Sequence, residues 1–176
     1  MTRIAIIGAT GFTGIELVKL LKNHPKIGAI DLFSFNNAGK QIKYFSEELN
    51  GCNDILQDYK KIEFNDYDLI FFACPNGTAM DAYQEIQKSK AKIIDLAADF
   101  RLDHEKDWEQ YYGLKHKAPD SLASTVYGLT EINRDRIKTA NIVANPGCYP
   151  TAAIISLYPL LEKELIVENS IIIDAK

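Results

Sequence analysis

The chain has 176 residues, a formal net charge of −4 and 47% hydrophobic residues. This composition predicts one globular domain with part of a second, and the slight acidity gives no electrostatic basis for binding nucleic acid. No apolar run approaches the ~18 residues that a membrane-spanning helix needs, and three unevenly spread cysteines argue against a disulfide framework or a metal site, so we expect a cytoplasmic protein.

The first recognisable pattern is a strand, a glycine-rich loop and a helix. Ile4–Ile7 is a short apolar run typical of a buried parallel strand, and residues 15–21 carry an apolar face with helical spacing. Glycines between them would let the backbone approach a pyrophosphate, and the helix N-terminus would offer amides to that anion, although a tight turn alone also uses glycines. We therefore predict dinucleotide binding. The candidate cofactor-binding residues here are Gly8, Thr10, Gly11, Phe12, Thr13 and Gly14.

The second predicted strand is Ala29–Phe33. In dinucleotide-binding folds, the residues at the end of this strand distinguish NAD from NADP. An acidic residue there would bind the ribose 2′-hydroxyl and repel a 2′-phosphate, but Asp31 lies about two residues too early for that role. Residues 34–40 offer hydroxyl, amide and ammonium donors instead, which favours NADP. A polar loop facing solvent would contain the same residue types.

The middle of the chain gives weaker patterns before a clear strand. Tyr44–Leu49 predicts a short helix and Lys61–Phe64 a short strand. Leu69–Ala73 predicts a buried strand, followed by a helix over residues 78–88. In doubly wound sheets the loops at the carboxyl ends of strands line the ligand crevice, so we expect Pro75 and its neighbours to face the cofactor.

The next strand, Lys92–Leu96, is followed by a candidate binding arginine. Arg101 could hold a carboxylate or a phosphate with paired N–H groups. It could equally form a structural ion pair with Asp99 or Asp103.

Two further helices are predicted before the last strand of the sheet. Residues 104–117 are charged and aromatic and predict an amphipathic surface helix, on which His104 and His116 would be solvated. Residues 131–138 predict another helix, with Thr130 as its N-cap.

A cysteine follows the last predicted strand, Ile142–Ala144. The long apolar run from Thr151 predicts a buried helix, and Pro150 is tolerated in its first turn. Cys148 would then lie at or just before the helix N-terminus, where amides and the helix dipole stabilise the nucleophilic thiolate. The alternative role for such a cysteine is that of a small buried hydrophobic residue.

The segment from Asn145 to Ala152 resembles the active-site segment of the N-acetyl-gamma-glutamyl-phosphate reductase family, which is related in fold and chemistry to aspartate-semialdehyde dehydrogenase. Several other segments resemble the family in the same order, although Asn76 and Thr130 replace its usual histidine and proline. These segments are the glycine loop, Ser34 with the nearby Ala38-Gly39-Lys40, Ala98-Asp99-Phe100-Arg101-Leu102, and Tyr127-Gly128-Leu129-Thr130-Glu131.

The resemblance implies a Rossmann-type, doubly wound, mostly parallel α/β sheet followed by the start of a truncated α+β domain. An NADP-binding domain would cover residues 1–145, and a catalytic and dimerisation domain would begin with residues 146–176. The chain stops just after a predicted strand, Ser170–Asp174. We therefore expect a truncated chain with little activity alone, whose catalytic histidine lies outside it and whose full-length form is a dimer or tetramer.

The implied reaction is the NADP-dependent reduction of N-acetyl-L-glutamyl 5-phosphate to the 5-semialdehyde and phosphate in arginine biosynthesis. Cys148 would form a thioester, Ser34 would lie near the 2′-phosphate, and Arg101 and Asn145 would bind substrate. One alternative is a sister reductase acting on aspartyl or aminoadipyl phosphate. Another is a non-catalytic NAD(P)-sensing domain in which Cys148 is only structural.

Overall fold

The computed structural model describes residues 1–175, which form one parallel sheet flanked by helices. Its strands are β1 (Thr2–Ile7), β2 (Ile27–Ser34), β3 (Gln57–Asp58), β4 (Leu69–Phe72), β5 (Lys92–Asp95), β6 (Val126–Tyr127) and β7 (Ile142–Ala144). They lie in the order β3-β2-β1-β4-β5-β7-β6, and each neighbouring pair is parallel. The predicted doubly wound α/β sheet is confirmed. Five of the predicted strands are present, namely those over residues 4–7, 29–33, 69–73, 92–96 and 142–144.

Helices occupy most of the connections between these parallel strands, although only 3₁₀ turns connect β2 to β3 and β3 to β4. They are α1 (Phe12–Leu21), α2 (Thr78–Asp81), α3 (Tyr83–Lys88), α4 (Glu105–Tyr112), α5 (Thr130–Thr139) and α6 (Cys148–Glu162). The helix predicted over residues 78–88 is interrupted at Ala82, where the backbone leaves the helical region.

Side chains of the central strands alternate between two hydrophobic clusters, one on each face of the sheet. Ile4 and Ile6 pack with Val18 of α1 on one face. Ala5 and Ile7 pack on the other, in the cluster that contains Trp108 of α4. Burial on both faces explains why β1 is a continuous apolar run rather than an alternating one.

The strand order places a ligand crevice beside β1. The chain moves outward from β1 to β2 and β3 on one side, then returns to the other side of β1 with β4. The loops after β1 and β4 therefore diverge at their carboxyl ends, which is where doubly wound sheets bind ligands. Gly8 and Pro75 lie in these loops.

The segments between β2 and β4 differ from their predictions. The predicted strand Lys61–Phe64 is wrong, because 3₁₀ turns occupy Tyr59–Lys61 and Phe64–Asp66. The predicted helix over residues 44–49 is two 3₁₀ turns instead. They are separated by Ser46, whose backbone is extended and whose hydroxyl accepts a hydrogen bond from the Glu48 amide. This side-chain bond competes with a continuous helix.

The predicted surface helix over residues 104–117 is shorter and more buried than expected. It ends at Tyr112, and Gly113 follows with φ of 67°. Trp108 is fully buried, and His116 is only 2% exposed, so the prediction that His116 is solvated is wrong. The ring N–H of Trp108 and that of His116 each form a hydrogen bond with a backbone carbonyl, which makes burial of the two rings possible. His104 is exposed, as predicted.

Thr130 does not cap α5 as predicted. The capping position is Leu129, and the Thr130 hydroxyl donates to the carboxylate of Glu131 instead.

The last part of the chain confirms a predicted helix but not its burial. Helix α6 begins at Cys148, yet none of its side chains is buried in the described structure. The strand predicted over 170–174 is also wrong. Residues 168–170 form a 3₁₀ turn, and residues 171–175 are not part of a strand. A strand needs a neighbouring backbone to satisfy its N–H and C=O groups, which an apolar pattern alone does not supply.

Candidate active site

The loop after β1 requires glycine at two positions. Gly8 has φ of +86°, and a Cβ there would lie 2.2 Å from the carbonyl oxygen of Ala73 at the end of β4. A Cβ on Gly14 would lie 2.3 Å from the Gly8 carbonyl oxygen. The amides of Gly8 and Ala9 both donate to the carbonyl of Phe33 in β2. The glycines thus let α1, β2 and β4 converge on a single turn.

The first turn of α1 presents backbone amides to solvent. Phe12 is 94% exposed, Thr13 is also exposed, and the turn contains no acidic side chain. The first amides of a helix have no intrahelical acceptor. Gly11 precedes them with no side-chain cap, and Thr10 is half-buried beside it. This arrangement fits the pyrophosphate of a dinucleotide, because it combines free donors with the positive end of a helix dipole.

The end of β2 holds Ser34, which is 3% exposed and is followed by the exposed Phe35. Asp31 is engaged elsewhere: its carboxylate pairs with Arg3 at 2.8 Å and accepts hydrogen bonds from Tyr67 and Gln57. Asp31 therefore has three side-chain partners within the protein.

The loop after β4 is tied to the loop after β5. Pro75 is exposed, and its carbonyl accepts from the Thr78 hydroxyl at 2.9 Å. The side-chain oxygen of Asn76 accepts from the Ala98 amide at 3.1 Å. Asp99 is fully buried, and its carboxylate accepts from the Gly77 amide at 2.7 Å. Asn76 thus has a defined side-chain partner within the protein.

Arg101 reaches the turn that carries the cysteine. Its Nε donates to the Asn145 carbonyl at 2.8 Å, and Nη2 donates to the Leu96 carbonyl at 3.1 Å. The ion pair with Asp99 or Asp103 that we considered does not form within residues 1–175. A Cβ on Gly147 would lie 3.2 Å from Nη1, so the guanidinium packs directly against the residue before Cys148. Both hydrogen-bond acceptors of Arg101 are neutral carbonyl groups rather than carboxylates.

Cys148 is the first residue of α6 and is exposed, so it is not a buried hydrophobic residue. The Gly147 carbonyl accepts from both the amide and the hydroxyl of Thr151, which fixes the start of the helix. Asn145 is exposed, its amide donates to the Asp95 carbonyl at 2.7 Å, and its side chain donates to the Pro146 carbonyl at 3.2 Å. Cys148 is thus held on a short, well-anchored turn at the end of β7.

The other two cysteines are poor nucleophiles in this fold. Burial raises the pKa of the Cys74 thiol to about 12, and the negative charges of Asp95 and Asp99 add to this increase. Cys52 is buried, and its thiol donates to the carboxylate of Asp54. Reactivity at neutral pH should therefore be confined to Cys148.

Two side chains near the site were not singled out from the sequence. Burial and the neighbouring Asp99 raise the pKa of Asp95 to about 7, although the amides of Ala97 and Asp99 oppose this shift. Burial likewise raises the pKa of Tyr127, while Arg101 and the Gly147 amide lower it. A charged residue ending an apolar strand was the available signal for Asp95. The signal for Tyr127 was its place in a family-like segment.

Within the described residues, no group of three or more histidine, cysteine or acidic side chains is arranged to hold a metal ion. The same part of the chain contains no helix that is both long and apolar enough to cross a membrane.

Comparison with known proteins identifies relatives along the whole chain. The family model described as "Semialdehyde dehydrogenase, NAD binding domain" matches residues 3–140. The N-acetyl-gamma-glutamyl-phosphate reductase of Nitrosomonas eutropha is 41% identical over 177 residues, covering 100% of this chain and 52% of that protein. The enzyme of the same name from Acinetobacter baylyi is 44% identical over 179 residues, covering 100% of this chain and 51% of that protein. The chain thus spans about half the length of the curated relatives it matches.

Solved structures show the same fold. Aspartate semialdehyde dehydrogenase II from Vibrio cholerae, complexed with ASA, matches with a TM-score of 0.68 at 19% identity, over 92% of this chain and 47% of that one. Aspartate semialdehyde dehydrogenase with NADP from Candida albicans matches with a TM-score of 0.61 at 16% identity, over 93% of this chain and 47% of that one.

Proposed function

Because this chain belongs to the family of the semialdehyde dehydrogenase NAD-binding domain, we propose that it is the cofactor-binding part of a reductase in arginine biosynthesis. The reaction converts N-acetyl-L-glutamyl 5-phosphate to the 5-semialdehyde and phosphate. The names of relatives 41% and 44% identical over the whole chain support this assignment. The observation that carries it is an exposed Cys148 at the start of α6, with the Arg101 guanidinium against the preceding residue.

We propose NADP as the cofactor. The loop from Gly8 to Gly14 would bind its pyrophosphate, Ser34 would lie at the 2′-phosphate, and Pro75 would contact it from the loop after β4. The absence of an acidic side chain in the first turn of α1 supports binding of an anion there. Bound in its reduced form, this cofactor would supply the hydride that releases the acyl group as an aldehyde.

Cys148 would act as the nucleophile. Its thiolate attacks the acyl carbon, a C–S bond forms, the C–O bond to phosphate breaks, and phosphate leaves with the electron pair. The product is a thioester, so one difficult reaction is divided into two easier ones. Amides in the first turn of α6 would stabilise the oxyanion of the tetrahedral species.

Arg101 and Asn145 would prepare this site for the substrate. Nη1 of Arg101 makes no hydrogen bond within the described chain and would bind the phosphate as it departs. The Asn145 carbonyl accepts from that guanidinium and would orient it, and the exposed side chain of Asn145 would contact the acyl group. The two residues would thus act as a pair.

Acylation of Cys148 by N-acetyl-L-glutamyl 5-phosphate tests this proposal directly. Mass spectrometry of the treated chain should find a hydroxylamine-labile acyl group on the peptide containing Cys148, and Cys148→Ser should remove it. Arg101→Gln should slow acylation about tenfold or more, while the rate of alkylation by neutral iodoacetamide changes little. Arg134→Ala, on the exposed face of α5, is the matched control and should leave both rates unchanged.

The same experiment separates the alternatives. On the complete protein, faster acylation by aspartyl phosphate or aminoadipyl phosphate would assign it to a sister reductase. No acylation of the complete protein by any of the three, with NADP binding retained, would instead support a nucleotide-sensing domain.

We also propose a domain boundary between residues 145 and 146, with residues 146–176 beginning a catalytic and dimerisation domain. The lack of buried side chains in α6 supports this division. The complete protein would be a cytoplasmic homodimer or homotetramer, which sedimentation of that protein would establish.

A further inference from the structure

Three hydrogen bonds join the loop after β5 to the loop after β4 and to α2, which follows that loop. The Asn76 side chain accepts from the Ala98 amide at 3.1 Å. The two carboxylate oxygens of Asp99 accept from the Gly77 amide at 2.7 Å and the Met80 amide at 3.0 Å. Asp99 has no solvent exposure, so its carboxylate depends on these donors.

Asp99 is itself held in place from two directions. Its own amide donates to the Asp95 carboxylate at 3.1 Å. Its carbonyl lies 2.7 Å from Nε2 of His116, whose Nδ1 accepts from the Ala118 amide. Nε2 therefore carries the proton and donates to the Asp99 carbonyl. The Trp108 ring N–H donates to the neighbouring Ala98 carbonyl at 2.6 Å.

These bonds connect two parts of the proposed site that are distant in sequence. Asn76 and Gly77 directly follow Pro75, which would contact the cofactor. Asp99 lies two residues before Arg101, whose side chain orders the turn that carries Cys148. Both oxygens of the buried Asp99 side chain accept these hydrogen bonds, and losing a buried bond is costly, so a displacement of either loop would be resisted by the other.

We propose that Asp99, assisted by Asn76, is a positioning residue that holds the cofactor loop and the arginine loop as one unit. Seating of NADP against the loop after β4 then restricts the loop that carries Arg101. This inference rests on the proposed function, because it takes Pro75 as a cofactor contact and Arg101 as a substrate contact.

Hydrogen exchange with and without NADP tests the inference without any acyl phosphate. In the unmodified chain, NADP should slow exchange of the Ala97, Asp99 and Arg101 amides as well as amides of the loop after β4. Asn76→Ala and Asp99→Asn should confine the protection to the loop after β4. The acceptors of the three reporter amides, Asp95 and the Ala98 carbonyl, remain intact in Asn76→Ala.

Two control variants separate coupling from general damage to the fold. Asn76→Asp keeps the acceptor oxygen and should restore the extended protection. Asn65→Ala removes a similar side-chain bond outside both loops, one that the Lys90 amide donates. This variant should leave the extended protection unchanged. Asn76 is exposed, so Asn76→Ala should fold even if the buried Asp99→Asn does not.

The outcomes distinguish failure of this inference from failure of the proposed function. NADP binding with protection limited to the loop after β4 in the unmodified chain would overturn the inference alone. Extended protection that survives in Asn76→Ala and in folded Asp99→Asn would also overturn it. Failure of the chain to bind NADP, measured by calorimetry, would refute both the proposed cofactor and this coupling.

Discussion

Gly8 combines a left-handed backbone with a close approach between two strands. Gly51 has nearly the same φ, +89°, but a Cβ there would meet no atom within 4 Å. Gly51→Ala should therefore cost about 1–2 kcal/mol of unfolding free energy, from the backbone conformation alone. Gly8→Ala should cost at least about 3 kcal/mol, because its Cβ also collides with the Ala73 backbone. Urea denaturation measures the loss of unfolding free energy in each variant. Equal losses would show that the loop after β1 adjusts to accommodate a side chain at position 8.

Asp95 should make stability depend on pH. Its pKa rises from an ordinary 3.8 to about 7 in the folded chain, so the folded state binds more protons between these values. Stability should therefore fall as pH rises through this window and level off above it, by on the order of 4 kcal/mol in total. The difference in unfolding free energy between the original chain and Asp95→Asn, measured across the window, reports this loss. Asp103→Asn, in an exposed position on the same loop, is the control. Parallel profiles for the original chain and Asp95→Asn would contradict the prediction.

The three thiols should react very differently. Iodoacetamide at about pH 8 should label only Cys148 in the folded chain, because Cys52 is buried and Cys74 is almost entirely protonated there. The denatured chain should take up three labels, and folded Cys148→Ser none. Mass spectrometry measures the labels, and modification of Cys74 in the folded chain would show that its thiol is more accessible than the structure indicates.

Among single residues, the sequence located those candidate site residues whose position depends on local chain geometry. The glycines, Pro75 and Cys148 all lie in turns after strands, and those turns were recognisable. His116 and Asp99 could not be assigned in the same way. Their burial depends on backbone carbonyls and amides supplied by loops distant in sequence.

Among the elements, long apolar runs predicted strands and helices well. The two-residue strands β3 and β6 had no such pattern, because their pairing comes from neighbouring strands rather than their own composition. Helix α6 was expected to be buried because its residues are apolar. Composition predicts the helix, but burial also needs a surface to pack against.

The packing of α1 on the glycine loop can be tested with a matched pair of variants. A Cβ at Gly14 would lie 2.3 Å from the Gly8 carbonyl oxygen, whereas a Cβ at Gly11 would lie at an ordinary 3.5 Å from the same atom. Gly14→Ala should displace α1 and lower both unfolding free energy and NADP affinity. Gly11→Ala should change the unfolding free energy by less than about 1 kcal/mol. Calorimetric titration with NADP and urea denaturation provide both quantities, and a Gly14→Ala chain that binds NADP normally would argue against a role for this packing.

For the molecule as a whole, binding of the cofactor should appear as added stability. NADP at a hundred times its dissociation constant should raise the unfolding free energy by about 2.7 kcal/mol. Ser34→Asp should remove most of this effect for NADP while sparing NAD, because a carboxylate repels the 2′-phosphate. Thermal denaturation with each nucleotide measures the preference. Equal stabilisation of Ser34→Asp by both nucleotides would place the 2′-phosphate elsewhere.

The strand order also has a consequence for synthesis of the chain on the ribosome. Strands β1 to β5 emerge in an order that lets each pair at once with a strand already made: β2 and β4 with β1, β3 with β2, and β5 with β4. Strand β6 breaks this sequence, because its partner is β7, which is translated later. The nascent sheet can therefore grow outward from its centre through β5. Tyr127 and the turn of Cys148 then join it together, so the proposed reactive end of the domain is its last part to assemble.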